Sequence, residues 1–125
     1  RTLVLGTEEL MQLPLRLAQT LADAGGDVVF STTTRSPAVV VDEPDYALRS
    51  GVIFAAHDDP ADGPGRRFAY NLAATVGARA HDQRVPPWDR ILVVVDPPAD
   101  TPGLRSGLLR VLAPYTSRTT LVVTP

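Results

Sequence analysis

The segment Ser31-Thr32-Thr33-Thr34-Arg35-Ser36-Pro37 follows the apolar run Val28-Val29-Phe30 and gathers hydroxyls around a single arginine where a strand should end. Hydroxyls and backbone N–H groups beside a planar guanidinium form a fixed donor set that suits a phosphate or a carboxylate. The carboxyl ends of strands in an open α/β sheet are also where ligands bind. Thr33, Thr34, Arg35 and Ser36 are therefore candidate anion ligands. The alternative is a Ser/Thr-rich loop whose arginine pairs with a nearby carboxylate.

A second candidate loop, Gly6-Thr7-Glu8-Glu9, follows the apolar run Leu3-Val4-Leu5. It is not an ordinary phosphate loop, because Gly-x-Gly-x-x-Gly and the Gly/Lys signature are both absent and two carboxylates would repel a phosphate at a helix N-terminus. Glu8 or Glu9 suits accepting hydrogen bonds from ribose hydroxyls or an amino group, or holding Arg35 in place; either can equally be a charge that stabilises the helix end. Arg49 and Ser50, with Gly51, can complete an anion clamp, against the reading of Arg49 as a surface charge on a strand. Tyr70 and Asn71 offer a stacking ring and a bidentate amide, the pair a base or a sugar needs, or else a half-buried aromatic beside a helix-end polar residue. His57-Asp58-Asp59, with Asp62 and His81, sits among prolines and glycines and reads as a solvated acidic loop, so no metal site is expected. No Gly-x-Ser-x-Gly elbow anchors a hydrolase triad.

The elements that must position these residues follow from hydrophobic periodicity. Strands are expected near residues 2–6, 27–32, 90–96 and 119–124, all parallel in one sheet, with Ile91-Leu92-Val93-Val94-Val95 as the central strand. Between the first two, Thr7 is expected to cap a helix that tolerates Pro14 early, buries Leu10, Leu13, Leu17, Ala18 and Leu21, and exits through Gly25-Gly26. A later helix over Leu104–Leu112 is interrupted by Gly107. Two strand–helix–strand units with right-handed crossovers predict a small Rossmann-like α/β domain of three layers with a mainly parallel sheet. From Pro37 to Pro87 the alternation lapses into an irregular middle insertion. There Val39-Val40-Val41 and Val52-Ile53-Phe54 can pair as a hairpin or edge, and Arg67 to Ala74 reads as a short helix.

Composition narrows the chemistry. The 125 residues suit one domain, and the start at Arg1 rather than methionine suggests an excised module. Absent cysteine removes disulfides, thiolate nucleophiles and sulfur-ligated metal sites. All 12 basic residues are arginine, which fits a high-GC coding bias and excludes lysine Schiff bases and a lysine-bearing phosphate loop. A formal charge of -2 with dispersed arginines gives no basic stripe, so nucleic acid is not an expected partner. No apolar stretch is long enough to span a bilayer and no signal-peptide pattern opens the chain, so no membrane is expected and the cytoplasm is the expected location.

Four short motifs occur in order: Gly6-Thr7-Glu8-Glu9-Leu10-Met11, Thr32-Thr33-Thr34-Arg35-Ser36-Pro37, Leu48-Arg49-Ser50-Gly51 and Phe68-Ala69-Tyr70-Asn71. Together they resemble the TRSP domain family, whose name is the tetrapeptide matched here by Thr34 to Pro37. The resemblance runs from Leu3 to about Asp96, and Ala73 to Pro87 looks like a lineage-specific elaboration. It implies a module C-terminal to a type I-like phosphoribosyltransferase domain, in bacterial proteins often encoded beside tellurite-resistance and stress-response genes. It also implies that the N-terminal partner is that transferase domain, and that phosphoribosyl diphosphate and magnesium, if used, belong to the parent protein, with no cofactor in this domain.

The chain itself lacks the transferase signature. After the apolar strand Ile91–Val95 stands one acid, Asp96, and Pro97-Pro98-Ala99-Asp100 replaces the flexible loop whose backbone donors would cradle a ribose phosphate. The expectation is an accessory or substrate-recognition domain for an anionic or nucleotide-like metabolite, not itself catalytic. The alternatives are a packing domain without its own ligand and a separate small enzyme acting on a phosphorylated substrate.

Overall fold

The computed structural model describes residues 1–8, 10–57, 65–73 and 87–125. Its order is β1 (Thr2–Gly6), α1 (Gln12–Asp23), β2 (Val28–Thr34), β3 (Gly51–Ala55), β4 (Arg66–Tyr70), β5 (Arg90–Val95), a helical segment and β6 (Thr119–Val123). The helical segment is α2 (Pro102–Leu104), a π-helical turn (Arg105–Leu109) around Gly107, and α3 (Arg110–Leu112). One six-stranded sheet runs β3-β4-β2-β1-β5-β6. Its β2-β1-β5-β6 portion is parallel, whereas β4 joins β2 and β3 joins β4 antiparallel. The sheet is therefore mixed, with antiparallel pairs beside the expected parallel ones. The reason is that the irregular middle contributes a hairpin to the sheet itself, and hairpin strands are antiparallel.

Alternation explains the continuous apolar run of β5. Ile91, Val93 and Val95, with Leu3 and Leu5 of β1, face one core, where Leu104, Leu108 and Leu112 arrive at intervals of four on one side of the second helical segment. Leu92, Val94 and Val4 face the other core against Ala18, Leu10, Leu17 and Leu21 of the α1 side. A strand covered on both faces has no polar side, so its sequence shows no alternation. Trp88 sits in the first core, and its indole N–H donates to the Leu72 carbonyl at 2.8 Å, so the chain before residue 73 is fastened to the chain after residue 87.

Several sequence expectations change. Thr7 caps no helix: α1 begins at Gln12 behind Met11, without a side-chain cap, and Thr7 Oγ1 instead donates to Val94 O at 3.3 Å across the β1–β5 junction. Glu8 consequently stands ahead of the helix, outside its first turn. Leu13 is exposed, because Pro14 and Ala18 set the buried side of α1. The expected helix from Arg67 is strand β4, in which Arg66, Phe68 and Tyr70 alternate with Arg67 and Ala69. Val39-Val40-Val41 forms no strand; Val41 N–H donates to Leu48 O within a loop instead, and β3 pairs with β4. Gly25 does supply the left-handed exit, with φ of 89°. Among the described residues no helix is long and apolar enough to cross a membrane.

Gly6 fixes the approach of the β1–α1 loop to the sheet. A Cβ built there would lie 2.5 Å from Leu10 O and 2.9 Å from Pro14 Cγ, so the loop closes over the strand end only because no side chain intervenes. Gly6→Ala should lower stability by about 1–3 kcal/mol, the usual cost of overpacking. Urea unfolding checks it; a variant as stable as the parent would show that the loop yields freely.

Candidate functional site

The site grows from the carboxyl ends of β1 and β2. Thr7 N–H donates to Val94 O at 3.2 Å, and Leu10 N–H closes a tight turn onto Thr7 O at 2.9 Å. Glu8, inside that turn, has φ of 47°, a left-handed conformation that costs a non-glycine residue of order 1 kcal/mol and persists only where surroundings impose it. The imposing contacts are visible. Glu8 N–H donates to Thr33 Oγ1 at 2.9 Å, and its carboxylate accepts from two arginines.

Arg35 Nε donates to Glu8 Oε2 at 2.7 Å, and Arg67 Nε donates to Glu8 Oε1. The glutamate side chain is 9% exposed and that of Arg67 only 4%, whereas that of Arg35 is 45% exposed. One carboxylate thus joins a buried guanidinium from β4 to a half-exposed one just beyond β2. Bonds of this charged kind are about twice as strong as neutral ones, and here one carboxylate restrains both guanidinium groups through their Nε atoms. Thr33 is buried beside them, and Thr34 Oγ1 accepts from Ser36 N–H at 3.1 Å, which turns the chain immediately after Arg35.

The other expected site residues form a second group. Arg49 pairs with Asp42 through Nε at 3.1 Å and a terminal nitrogen at 2.6 Å. Asn71, at φ of 57°, accepts from Arg49 N–H at 2.9 Å and donates to Ala47 O at 2.8 Å, so both ends of its amide are used on backbone. Asn71 N–H also donates to Ser50 O at 2.8 Å, and Ser50 Oγ accepts from Ala73 N–H at 3.4 Å. The Tyr70 hydroxyl accepts from Ala38 N–H at 2.7 Å and donates to Ser36 O at 3.0 Å, while its ring lies parallel to Phe68 at 6.3 Å. Tyr70 therefore ties the turn after Arg35 to β4. Glu9, Asp58, Asp59, Asp62 and His81 lie outside the described residues.

His57 is buried and stacks on Phe54 with centroids 6.2 Å apart, and its carbonyl accepts from Thr101 Oγ1 at 2.7 Å. The start of the acidic loop is therefore anchored in the core rather than solvated. Among the described residues no cluster of three or more His, Asp or Glu is placed to hold a metal ion.

Arg67 escaped the sequence reading. The available signal was its alternation: in Arg66-Arg67-Phe68-Ala69-Tyr70 one arginine must share a face with Ala69, and an arginine on a core face requires a partner. Because Glu8 and Arg67 are both buried, Glu8→Gln should destabilise the fold by about 2–4 kcal/mol, whereas Arg35→Ala should cost less than about 1 kcal/mol. Chemical denaturation of the two variants separates the roles; equal losses would place Arg35 in the same structural unit.

No match to a curated protein or to a solved structure is found. One family model does match, described as the TRSP domain lying C-terminal to PRTase_2, and it covers residues 1–112. That span takes in both residue groups of the site and every strand but β6. The chain belongs to the TRSP domain family.

Proposed function

We propose that this chain is a single accessory domain of a phosphoribosyltransferase-like protein, placed after the transferase domain and recognising a small anionic or nucleotide-like metabolite beside Arg35. The observation that carries this reading is the Glu8 carboxylate bonded to both Arg35 and Arg67 at the carboxyl edge of the sheet. It holds a half-exposed guanidinium at the carboxyl edge, just beyond the end of β2. A guanidinium restrained before binding loses less entropy when a phosphate or carboxylate arrives. Glu8 is then the positioning residue for Arg35 rather than a ligand of the metabolite.

The parallel β2-β1-β5-β6 order, with a helix packed on each face, supports a Rossmann-like reading of that half of the sheet. In such sheets the chain reverses direction of travel at one point, here between β1 and β5, and ligands bind there beyond the strand ends. Thr7 and Asp96 follow the two strands at that point. Asp96 turns its carboxylate to Ala99 N–H at 3.2 Å, and Pro97 and Pro98 lack N–H donors, so the anion is assigned to the Arg35 side. Catalysis, with any phosphoribosyl diphosphate and magnesium, is assigned to the preceding domain.

A second reading is favoured by a specific observation: Arg49, Tyr70 and Asn71 spend their polar groups on contacts within the chain. Those contacts suit a domain that packs without a ligand. Calorimetric titration with ribose 5-phosphate, phosphoribosyl diphosphate and a nucleoside monophosphate decides between the two. Arg35→Lys keeps the charge and loses the planar fork, so affinity should fall by about 1.5–3 kcal/mol with an unchanged unfolding midpoint. Undiminished binding removes the anchor role, and the absence of binding to any of the three by the parent favours the packing domain.

A further inference from the structure

Strand β4 has two unlike sides. Arg67 and Ala69 point inward with Val52 and Phe54 of β3, where Ala69 and Phe54 join the core beneath residues 102–112. On the other side the register sets Ile53 against Phe68 and Gly51 against Tyr70, and Phe68 in turn against Thr34 of β2. Residues paired across a ladder share a face, so Ile53, Phe68, Tyr70 and Thr34 form one surface. Val40 flanks it, with Cγ2 3.2 Å from where a Gly51 Cβ would stand. Along β2 the same face carries Phe30, which packs with α1. At β3 and β4 that cover gives out: Ile53 is 55% exposed, Val39 69% and Val40 40%.

We infer that this outward face of β3 and β4 is the seat of the phosphoribosyltransferase-like domain, an inference that rests on the accessory role proposed above. The family description sets this domain C-terminal to PRTase_2, and on the accessory reading the two are tethered in one polypeptide. Tethering raises the effective concentration of the partner to about the millimolar range, at which a modest apolar patch suffices. The composition of the face fits an interdomain contact: an aliphatic and aromatic centre of Ile53, Val40, Phe68 and Tyr70, with the exposed Arg66 at its rim. Its position fits as well. Arg67 on the inner side of β4 bonds Glu8, while Tyr70 on the outer side holds the turn that follows Arg35. A transferase domain seated here abuts the Arg35 edge, where a metabolite recognised by one domain is presented to the other.

The chain has no cysteine, so one introduced thiol reports a single position in this domain. Ile53→Cys and, as reference, Leu15→Cys on α1 are placed in the full polypeptide, and their alkylation is followed by peptide mass spectrometry. The two positions have similar exposure here, 55% and 49%. The expected result is Ile53→Cys reacting at least about tenfold more slowly than Leu15→Cys, the factor that 1.4 kcal/mol of occlusion produces, at every protein concentration. Equal rates overturn the inference, and so does protection that disappears on dilution, which identifies a second copy as the occupant. Val39→Cys replaces Ile53→Cys if the latter does not fold, with the same two outcomes. An upstream sequence without a phosphoribosyltransferase-like domain overturns the accessory role itself, and this is read from the gene before any alkylation is done.

Discussion

The buried pairing of Glu8 with Arg67 is the constraint on which the arrangement at the carboxyl edge depends. A guanidinium whose side chain is only 4% exposed carries a charge that is costly to bury without a carboxylate. Meeting that requirement fixes three things together. It holds Glu8 in a left-handed conformation, it brings the β1–α1 loop over the end of β2, and it leaves the second carboxylate oxygen aimed at Arg35. Buried ion pairs often contribute little net stability and more to the choice of one arrangement over others. Here the arrangement chosen is the orientation of the most exposed of the three side chains.

The antiparallel hairpin gives the domain its division of labour. Four parallel strands with helical cover on both faces form a conventional core, and β3 and β4 extend it past the carboxyl edge. Through its inward side β4 delivers Arg67 to Glu8, and through its outward side it offers Phe68 and Tyr70. Asn71, also left-handed, ends β4 and carries the backbone of Ala47 and Arg49. The motif residues around Arg49 and Asn71 thus bond the loop before β3 to the end of β4, while Glu8 and Arg35 form the charged group at the carboxyl edge.

Much of this was legible in the chain. Leu3-Val4-Leu5 and Ile91 to Val95 announced β1 and β5 because strands buried on both faces need apolar side chains on both, and the shorter apolar runs Val28-Val29-Phe30 and Leu121-Val122-Val123 marked their half-buried neighbours β2 and β6. The meeting of Glu8 and Arg35 was open as an alternative for the same loops. The hairpin was harder. In Arg66-Arg67-Phe68-Ala69-Tyr70 the alternation that sets one arginine beside Ala69 is short, and the segment's identity as a strand depends on pairing with β3 and with the end of β2, which no local signal encodes. The start of α1 was misplaced for a related reason: Thr7 is a good capping residue, but its hydroxyl bonds Val94 across the sheet, a contact between residues far apart in sequence.

The most direct test of the account is a double-mutant cycle between Glu8 and Arg67, with Glu8→Gln, Arg67→Met and the double variant compared by urea unfolding. A coupling energy of about 2 kcal/mol or more is predicted, because each single change removes one side of a charged bond between largely buried groups and the double change removes both sides together. Additive losses, with coupling below about 0.5 kcal/mol, would contradict the claim that this pair organises the edge.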